Sequence, residues 1–516
     1  MKTSDFVILA AIGFYLIGML FIGFYYSQKN NSSDDFYLGG RKLGPFVVAM
    51  SAEASDMSSW LLMGLPGVAY LTGVADAFWT AVGLAVGTYL NWLIMARRIR
   101  RYSQNIGAIT IPDFLSKRFH DKSNVLNCIA AVMIVVFFVP YTASGFAACG
   151  KLFHSLFGID YMTAMLISAI VIFSYTVMGG FMAASTTDLI QSVVMTIALF
   201  VVLIYGTHMA GGVDAVVQNA QALEGYLSFS ATHNAATGAA EPYSPLTVAS
   251  NAAWGLGYFG MPHILLRFMA IEDEKKLVLS RRIASVWAAI SMCVAIVIGI
   301  VGYGMSKAGA IEMFTTSGQS ETIIVKVAGL LSLHGVIPAA LAGIILAGIL
   351  AATMSTADSQ LLAASSSVSQ NLVVDFFKVK LTNRQGLRVA RLTVLAISII
   401  ACFLARNPDS SVFQIVSFAW AGFGGAFGAV MILSLFWERT NRDGALAGML
   451  SGGVMVFIWK FLVRPMGGVW GIYELLPAFV VSMIVTILVS VITPAPDAEV
   501  IAEFRKTLRS RASEEE

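Results

Sequence analysis

Four carboxylates stand inside otherwise apolar stretches of this chain: Glu53, Asp56, Asp188 and Asp358. A charged side chain at the centre of an apolar helix costs about 2.5–3.5 kcal/mol on insertion scales, so each needs a partner or a task. Asp56 sits among hydroxyls, beside Ser55, Ser58 and Ser59. Two readings stand for it: an acceptor for N–H groups freed by a break in the helix, or a source of field for a bound cation. Glu53 is open between a protonated, a paired and a cavity-facing carboxyl. Asp358 belongs to Ala351-Ala-Thr-Met-Ser-Thr-Ala-Asp-Ser-Gln360, where Thr353, Ser355, Thr356 and Ser359 crowd an apolar helix. Hydrogen bonds between helices by Ser and Thr contribute about 0.6 kcal/mol on average, which accounts for one or two hydroxyls and not for this density. Hard cations take oxygen ligands, and these hydroxyls plus carbonyls freed beside Asp56 would supply about five. The chemistry expected is the holding of a cation such as Na⁺.

Two apolar segments carry helix-breaking sequence. The first runs from Pro45 through Ser55-Asp-Met-Ser-Ser-Trp60 to Gly67, and the second is Asn251-Ala-Ala-Trp-Gly-Leu-Gly-Tyr-Phe-Gly-Met-Pro-His263. Hydrocarbon punishes unpaired backbone groups, so irregular backbone at membrane depth survives only when buried or lining a cavity. A pair of such breaks in corresponding halves points to the binding site of a secondary transporter built from repeats. In the second break Trp254 and Tyr258 stand at i and i+4, with Gly255, Gly257 and Gly260 keeping the backbone bare. Packing explains such aromatics; so does the wall of a small organic solute, with an apolar face and a polar tip. Tyr141, after Pro140, would join from a third helix, and His263 reads as a structural histidine.

The elements that position these residues are membrane spans. Of 516 residues 57% are hydrophobic and 12% charged, and the mean hydropathy is +0.76. That excludes a soluble domain. At a required length of about 20 residues per span, roughly thirteen are expected. They fall near 6–27, 45–71, 76–96, 125–150, 160–180, 184–208, 247–271, 283–305, 336–365, 389–405, 411–436, 444–464 and 471–493. The stretch 389–405 is the shortest of them. The first reads as a retained anchor, too long for the core of a signal peptide.

Basic residues alternate between loops: Arg97, Arg98, Arg100 and Arg101 in one, Lys275, Lys276, Arg281 and Arg282 in another, and none in 72–75 or 209–245. The positive-inside rule then gives an external N-terminus and a cytoplasmic C-terminus. Asp76, at a span boundary, is expected to be hydrated. The broken segments are the second and seventh spans, so the chain reads as two contiguous repeats of five helices. Five is odd, which inverts one repeat against the other.

The divisions are an extra helix and loop (1–44), a first five-helix repeat (45–208), an extracellular loop (209–245), a second repeat (246–437), two C-terminal helices (438–493) and a cytoplasmic tail (494–516). The tail is expected to be a helix with a frayed tip at Glu514-Glu515-Glu516. The fold class is an all-α polytopic membrane protein. Basic residues are scattered over short loops, against nucleic acid as a partner. Cys128, Cys149, Cys293 and Cys402 have no metal or redox spacing. No Walker A, GxSxG, HExxH or CxxC pattern supports an enzyme. No kinase- or receiver-sized segment follows Pro494, against a sensor, and no obligatory protein partner is expected.

Three runs carry a resemblance: Ser55-Asp-Met-Ser-Ser-Trp-Leu-Leu-Met-Gly-Leu-Pro-Gly67, Trp254-Gly-Leu-Gly-Tyr-Phe-Gly-Met-Pro-His-Ile264 and the 351–362 hydroxyl segment. Phe36-Tyr-Leu-Gly-Gly-Arg41 and Trp420-Ala-Gly-Phe-Gly424 support them. Over nearly its whole length the chain resembles the sodium/solute symporter family, above all its bacterial proline-carrying members. The resemblance implies a LeuT-like core of two inverted repeats in the bacterial inner membrane, taking up a small amino acid, L-proline first, with co-transported Na⁺. It implies a Na⁺ site of backbone oxygens from Ala54, Met57 and Ala352 with side-chain oxygens of Ser355 and Thr356. It implies that Asp56 is needed for Na⁺ dependence. Ser55, Tyr141, Trp254, Tyr258, Met261 and Pro262 would shape the solute pocket, and Arg41 would bear on coupling.

Three residues depart from the family pattern. Glu53 stands in place of a small residue, Met261 in place of the glutamine of the enteric proline transporters, and Asp358 in place of a neutral or hydroxylated one. The first two leave room for another amino acid or a monocarboxylate as the solute. Related members also face an aspartate at the position of Asp188 toward the hydroxyl helix. Ser355, Asp358 and Ser359 would then join Asp188 in a second Na⁺ site, or line a hydrated release path. Two carboxylates that close repel unless a cation or a shared proton lies between them.

Overall fold

The computed structural model describes residues 3–28, 37–235 and 237–509. Phe36 of the supporting motif and the acidic tip of the tail lie outside the described residues. Among the described residues ten helices are long and apolar enough to cross a membrane, from Thr3–Tyr26 to Leu475–Ile492. The other expected spans, 45–71, 160–180 and 247–271, are present as shorter helical pieces. The helix Tyr161–Met209 turns at Gly180, whose φ of 66° and ψ of −175° lie outside the helical region and divide it in two. Glycine takes that conformation without strain.

Both expected breaks are present, each with a local cause. Pro45 opens the first segment as a helix over Pro45–Asp56, and helical geometry ends at Met57 (φ −74°, ψ 50°). Helix resumes through a wide π-type turn, Trp60–Gly64, and continues as Leu65–Thr72. Pro66 has no N–H to offer the carbonyl of Leu62, which accounts for a widened turn just before it. In the second segment Pro245–Ala252 gives way to eight residues of tighter 3₁₀ winding, Ala253–Gly260. Met261 is extended (φ −77°, ψ 107°) and Pro262 starts the helix Pro262–Ala270. A residue before proline is driven out of the α region by the proline ring, so Met261 becomes the joint.

Burial shows where the core lies. Residues 48–67, 257–271 and 345–367 are buried without interruption. These are the two broken segments and the hydroxyl helix, Val336–Ser366, which packs on Tyr161–Met209, Val125–Phe157 and the N-terminal helix Thr3–Ser27. Surrounding helices present exposed apolar side chains outward, among them Ile170, Ile204, Ile399 and Leu488. Glycines let the second broken segment approach its neighbours. A Cβ on Gly255 would lie 2.1 Å from the Gly83 carbonyl oxygen, and one on Gly257 would lie 2.0 Å from Trp420 Nε1.

Several boundaries differ from expectation. The stretch 389–405 begins at Asn383 as a 22-residue helix, longer than the 18 residues of Leu475–Ile492. Its opening turns carry Arg384, Arg388 and Arg391, which hid them from an apolar count, and Thr382 with Gln385 forms a capping box. The stretch 209–245 is not featureless: it holds the helix Val213–Gln221 and a short antiparallel pair with Thr232 opposite Glu241. Asp76 is half-buried and accepts hydrogen bonds from Tyr243 (2.7 Å) and Asn251 (3.1 Å). The tail forms the helix Ala498–Arg509, with Phe504 against Tyr102, ring centroids 6.4 Å apart.

The glycine contacts make a testable statement about stability. A Cβ on Gly87 would lie 2.4 Å from Gly255 Cα, whereas one on Gly13 meets nothing within 4 Å. Gly87→Ala should destabilise the protein by about 1–3 kcal/mol, the usual cost of overpacking, and Gly13→Ala should not. Thermal unfolding in detergent, followed by size-exclusion chromatography, reads the difference. Equal melting of the two variants would show that these helices do not pack so closely.

Candidate functional site

The hydroxyl helix meets the first break through oxygen. Ser355 Oγ donates to the Ala54 carbonyl at 2.8 Å and lies 3.2 Å from the Ala352 carbonyl. Thr356 Oγ1 is 3.1 Å from that same Ala352 carbonyl. Four of the five expected ligand oxygens therefore share one buried spot, and Met57 is the residue at which the first helix ends. Ser and Thr can rest on carbonyls one turn back without breaking a helix, which is how so many hydroxyls are tolerated here. The cluster is built of neutral oxygens, a donor set suited to a hard monovalent ion.

Beside this cradle, Asp56 is the centre of an aromatic cage. Its carbonyl accepts from Tyr141 and from Trp60 Nε1, both at 3.3 Å, and its Oδ2 accepts from the Tyr258 hydroxyl. Oδ1 is buried and has no hydrogen-bond partner among the described residues. Half of the carboxylate thus ties the two breaks together, and half is left over. Trp254 lies with its ring centroid 6.0 Å from Trp60, 5.2 Å from Phe413 and 5.2 Å from Tyr473. Trp420 donates from Nε1 to the Trp254 carbonyl at 2.7 Å and meets Tyr258 edge-on at 5.1 Å. Trp254 also lines a cavity of about 560 Å³ shared with Asp76, Asn251, Glu321, Phe413 and Tyr473, whereas Trp60 behind it does not.

The other expected pocket residues are placed less directly. Ser55 turns its hydroxyl back to the Ala52 carbonyl at 3.1 Å. Met261 and Pro262 are fully buried at the joint of the second break. Glu53 accepts from Trp92 Nε1 at 3.3 Å and keeps one buried oxygen without a hydrogen-bond partner among the described residues. Arg41 donates to the Met269 (2.7 Å) and Ala108 (2.6 Å) carbonyls. It clamps the end of the second broken segment to residues 103–108.

A residue that sequence reasoning passed over lies among the remaining carboxylates. Arg267, fully buried, donates from Nη2 to Asp188 Oδ2 (3.2 Å) and Ser359 Oγ (2.5 Å), and from Nε to Ser51 Oγ (3.0 Å). Ser51 Oγ donates in turn to Asp188 Oδ2 at 2.6 Å, and Ser359 Oγ lies 3.2 Å from Asp358 Oδ1. The positive group beside this pair of carboxylates is a guanidinium from the second broken segment. The insertion argument that singled out the carboxylates applies equally to an arginine four residues from the end of an apolar run. Trp60, Phe413, Trp420 and Tyr473 are the other additions; nothing in their local sequence marks them as one cage.

Two interrupted helices joined by Tyr258 on Asp56 beside a buried oxygen cluster, inside a bundle of membrane-crossing helices, define a multi-pass membrane protein of the LeuT-like transporter fold. Solved structures bear this out: a Na⁺-coupled sialic acid symporter in a substrate-bound outward-open state superposes with a TM-score of 0.77 at 17% identity, covering 95% of this chain and 99% of that one. MhsT in complex with L-phenylalanine gives 0.54 at 14%, covering 87% and 97%. The profile of the sodium:solute symporter family matches residues 36–452. The osmoregulated proline transporter OpuE of Bacillus subtilis is 40% identical over 490 residues, 95% of each chain. A sodium/proline symporter of Haemophilus influenzae is 40% identical over 498 residues, 95% of this chain and 96% of its own. The chain belongs to the sodium:solute symporter family.

The Arg267 network carries its own prediction. Removing one partner of a buried ion pair strands the other, at a cost of about 3–5 kcal/mol, whereas removing both is far milder. Arg267→Gln should lower the melting temperature in detergent strongly, and Arg267→Gln with Asp188→Asn should recover most of the loss. A double variant as unstable as the single one would show that the two groups do not depend on each other.

Proposed function

We propose that this protein couples the inward movement of Na⁺ to the uptake of L-proline by alternating access. It would lie in a bacterial inner membrane with its N-terminus outside and its C-terminus in the cytoplasm. The observation that carries the reading is the Ser355 hydroxyl on the Ala54 carbonyl, which brings the hydroxyl helix onto the open end of the first break. Na⁺ held by the oxygens of Ala54, Met57, Ala352, Ser355 and Thr356 replaces these hydrogen bonds with a stronger bridge between the same two helices. The names of the relatives at 40% identity support proline as the solute. Its compact apolar ring suits a cage walled by Trp254 and Tyr258, with Tyr141, Ser55, Met261 and Pro262 around it.

Coupling follows from the cage geometry. Asp56 belongs to the first break and reaches Tyr258 of the second, so Na⁺ on one side of it and solute on the other act on one carboxylate. Each ligand stabilises the closed arrangement that the other needs, which is positive linkage between two sites. Arg267 supplies the positive charge beside Asp188 and Asp358, which favours one transported Na⁺ and makes this group a part of the path rather than a second site. The repeats would span 45–208 and 246–437 and hold ten of thirteen helices, with one helix before them and two after. Met261, buried in the joint, favours a second reading in which the solute is another small amino acid.

Uptake into proteoliposomes tests the proposal. An inward Na⁺ gradient with a negative interior should drive proline accumulation. One charge crossing 100 mV supplies about 2.3 kcal/mol, roughly fifty-fold accumulation. Ser355→Ala with Thr356→Ala should abolish the Na⁺ drive. A pH gradient in Na⁺-free buffer that drives uptake equally well would sink the ion assignment.

The solute assignment has a separate readout. Trp254→Ala should weaken proline affinity about ten-fold or more, as loss of an aromatic pocket wall does, while Na⁺ affinity measured without solute changes little. Equal loss of both affinities would mean that the broken helix has collapsed. Met261→Gln should raise proline uptake relative to other amino acids in a competition panel. An unchanged panel would remove Met261 from the pocket.

A further inference from the structure

The cavity of about 560 Å³ beside Trp254 lies outside the aromatic cage, and the Trp254 ring is the partition between them. Of the residues expected to shape the solute pocket, only Trp254 lines it; Ser55, Tyr141, Tyr258, Met261 and Pro262 do not. Thr72 and Asp76 line it from either side of the 72–75 loop. The distribution of basic residues makes that face the external one.

The charges on its walls fall into separate groups. Glu321 is already spent: Lys151 Nζ stands 2.7 Å from it, and Ser411 Oγ and the N–H groups of Val412 and Phe413 donate to it. Lys460 and Arg464 share the single carboxylate of Glu474, at 3.5 and 2.8 Å, so two cations meet one anion. Arg464 keeps 43% of its side chain exposed. Asp76 accepts from Tyr243 and Asn251 through Oδ1 alone, and no cation among the described residues pairs with it. The lining therefore has one positive pole and one negative pole.

A chain of contacts keeps the poles together. Tyr473 N donates to Ser250 Oγ at 2.7 Å, which sets Glu474 and its two cations beside Asn251, the residue that holds Asp76 at 3.1 Å. Ring surface lies next to both poles, because Trp254, Phe413 and Tyr473 line the cavity, with Trp254 5.2 Å from each of the other two. A simple anion answers only the positive pole, and a simple cation only Asp76. A small zwitterion with an apolar body answers both poles and the rings together.

We propose, on the footing of the amino-acid solute already inferred, that this cavity binds a second molecule of that solute ahead of the cage. Its carboxylate lies toward Arg464 and Lys460, its cationic nitrogen toward Asp76, and its apolar body over Trp254 and Tyr473. Trp254 then touches solute on the cavity side as well as on the cage side, and an amino acid waiting there is one ring away from the transport site.

Equilibrium dialysis of the purified full-length protein against radiolabelled L-proline at saturating Na⁺ counts the bound solute. Two prolines per protein are expected. The count should fall to one in Arg464→Gln and in Asp76→Asn, whose amide oxygen can still accept from Tyr243 and Asn251. Arg406→Gln, which removes an exposed cation outside the cavity, should keep two. Pyrrolidine and tetrahydrofuran-2-carboxylate each carry one pole of proline, and each should displace the second molecule about ten-fold less well than unlabelled proline, the loss of one charge-assisted contact. Size-exclusion elution confirms folding, and should Arg464→Gln aggregate, the isosteric Asp76→Asn decides. One proline on the unmodified protein overturns the proposal and leaves the solute assignment standing, whereas no bound proline overturns both. Two prolines on Asp76→Asn would place the second molecule elsewhere and overturn the proposal too. Displacement by either single-charge analogue as readily as by proline would show a simple ion site instead.

Discussion

Backbone groups that leave a helix inside a membrane have no water to turn to, and this constraint organises the whole site. The first segment gives up helical geometry at Met57, and the second tightens into 3₁₀ winding from Ala253 to Gly260. Neither is tolerable facing lipid. Both are consequently wrapped in other helices, with residues 48–67 and 257–271 buried without interruption. What satisfies the freed groups also makes the site, because the Ala54 carbonyl takes its hydrogen bond from Ser355 of a helix remote in sequence.

The same economy appears in the aromatic cage. Asp56 uses its carbonyl to accept from Tyr141 and Trp60 and one carboxylate oxygen to accept from Tyr258, so three helices converge on one residue. Convergence that tight requires backbones to touch. Gly257 lies where any Cβ would strike Trp420, and Gly260 lies where one would come within 2.2 Å of the Phe423 carbonyl oxygen. Packing precision and polar satisfaction are here one requirement, since a shift of the second break would unseat Tyr258 from Asp56.

Charge is handled with similar care deeper in the bundle. Asp188 on the Gly180–Met209 half-helix, Asp358 on the hydroxyl helix and Arg267 on the second broken segment lie in one network with Ser51 and Ser359. Each charge alone would be expensive in a low-dielectric interior; together they are held by mutual attraction and by hydroxyl donors. The network joins four segments that are far apart in the sequence.

Much of this was legible from the residues. Composition and span length determine a bundle of membrane helices, because hydrocarbon thickness and backbone satisfaction leave no other solution. The breaks were visible as Ser58-Ser59, the glycines of 255–260, and Pro66 and Pro262, whose effects on the backbone are local and act wherever they occur. The unusual hydroxyl density at 353–359 marked the helix whose Ser355 meets the first break. Hidden from the sequence were the partners supplied by distant segments. Arg267 was passed over although its own apolar surroundings flagged it, and Phe413, Trp420 and Tyr473 carry no local mark of the cage they build around Trp254. Whether the spare oxygen of Asp56 faces a cation, and which charge balances Asp188, depend on side chains meeting across about 80 to 200 residues of chain. Those meetings are set by how helices pack, and packing is a property of all the helices together, which no window of the sequence contains.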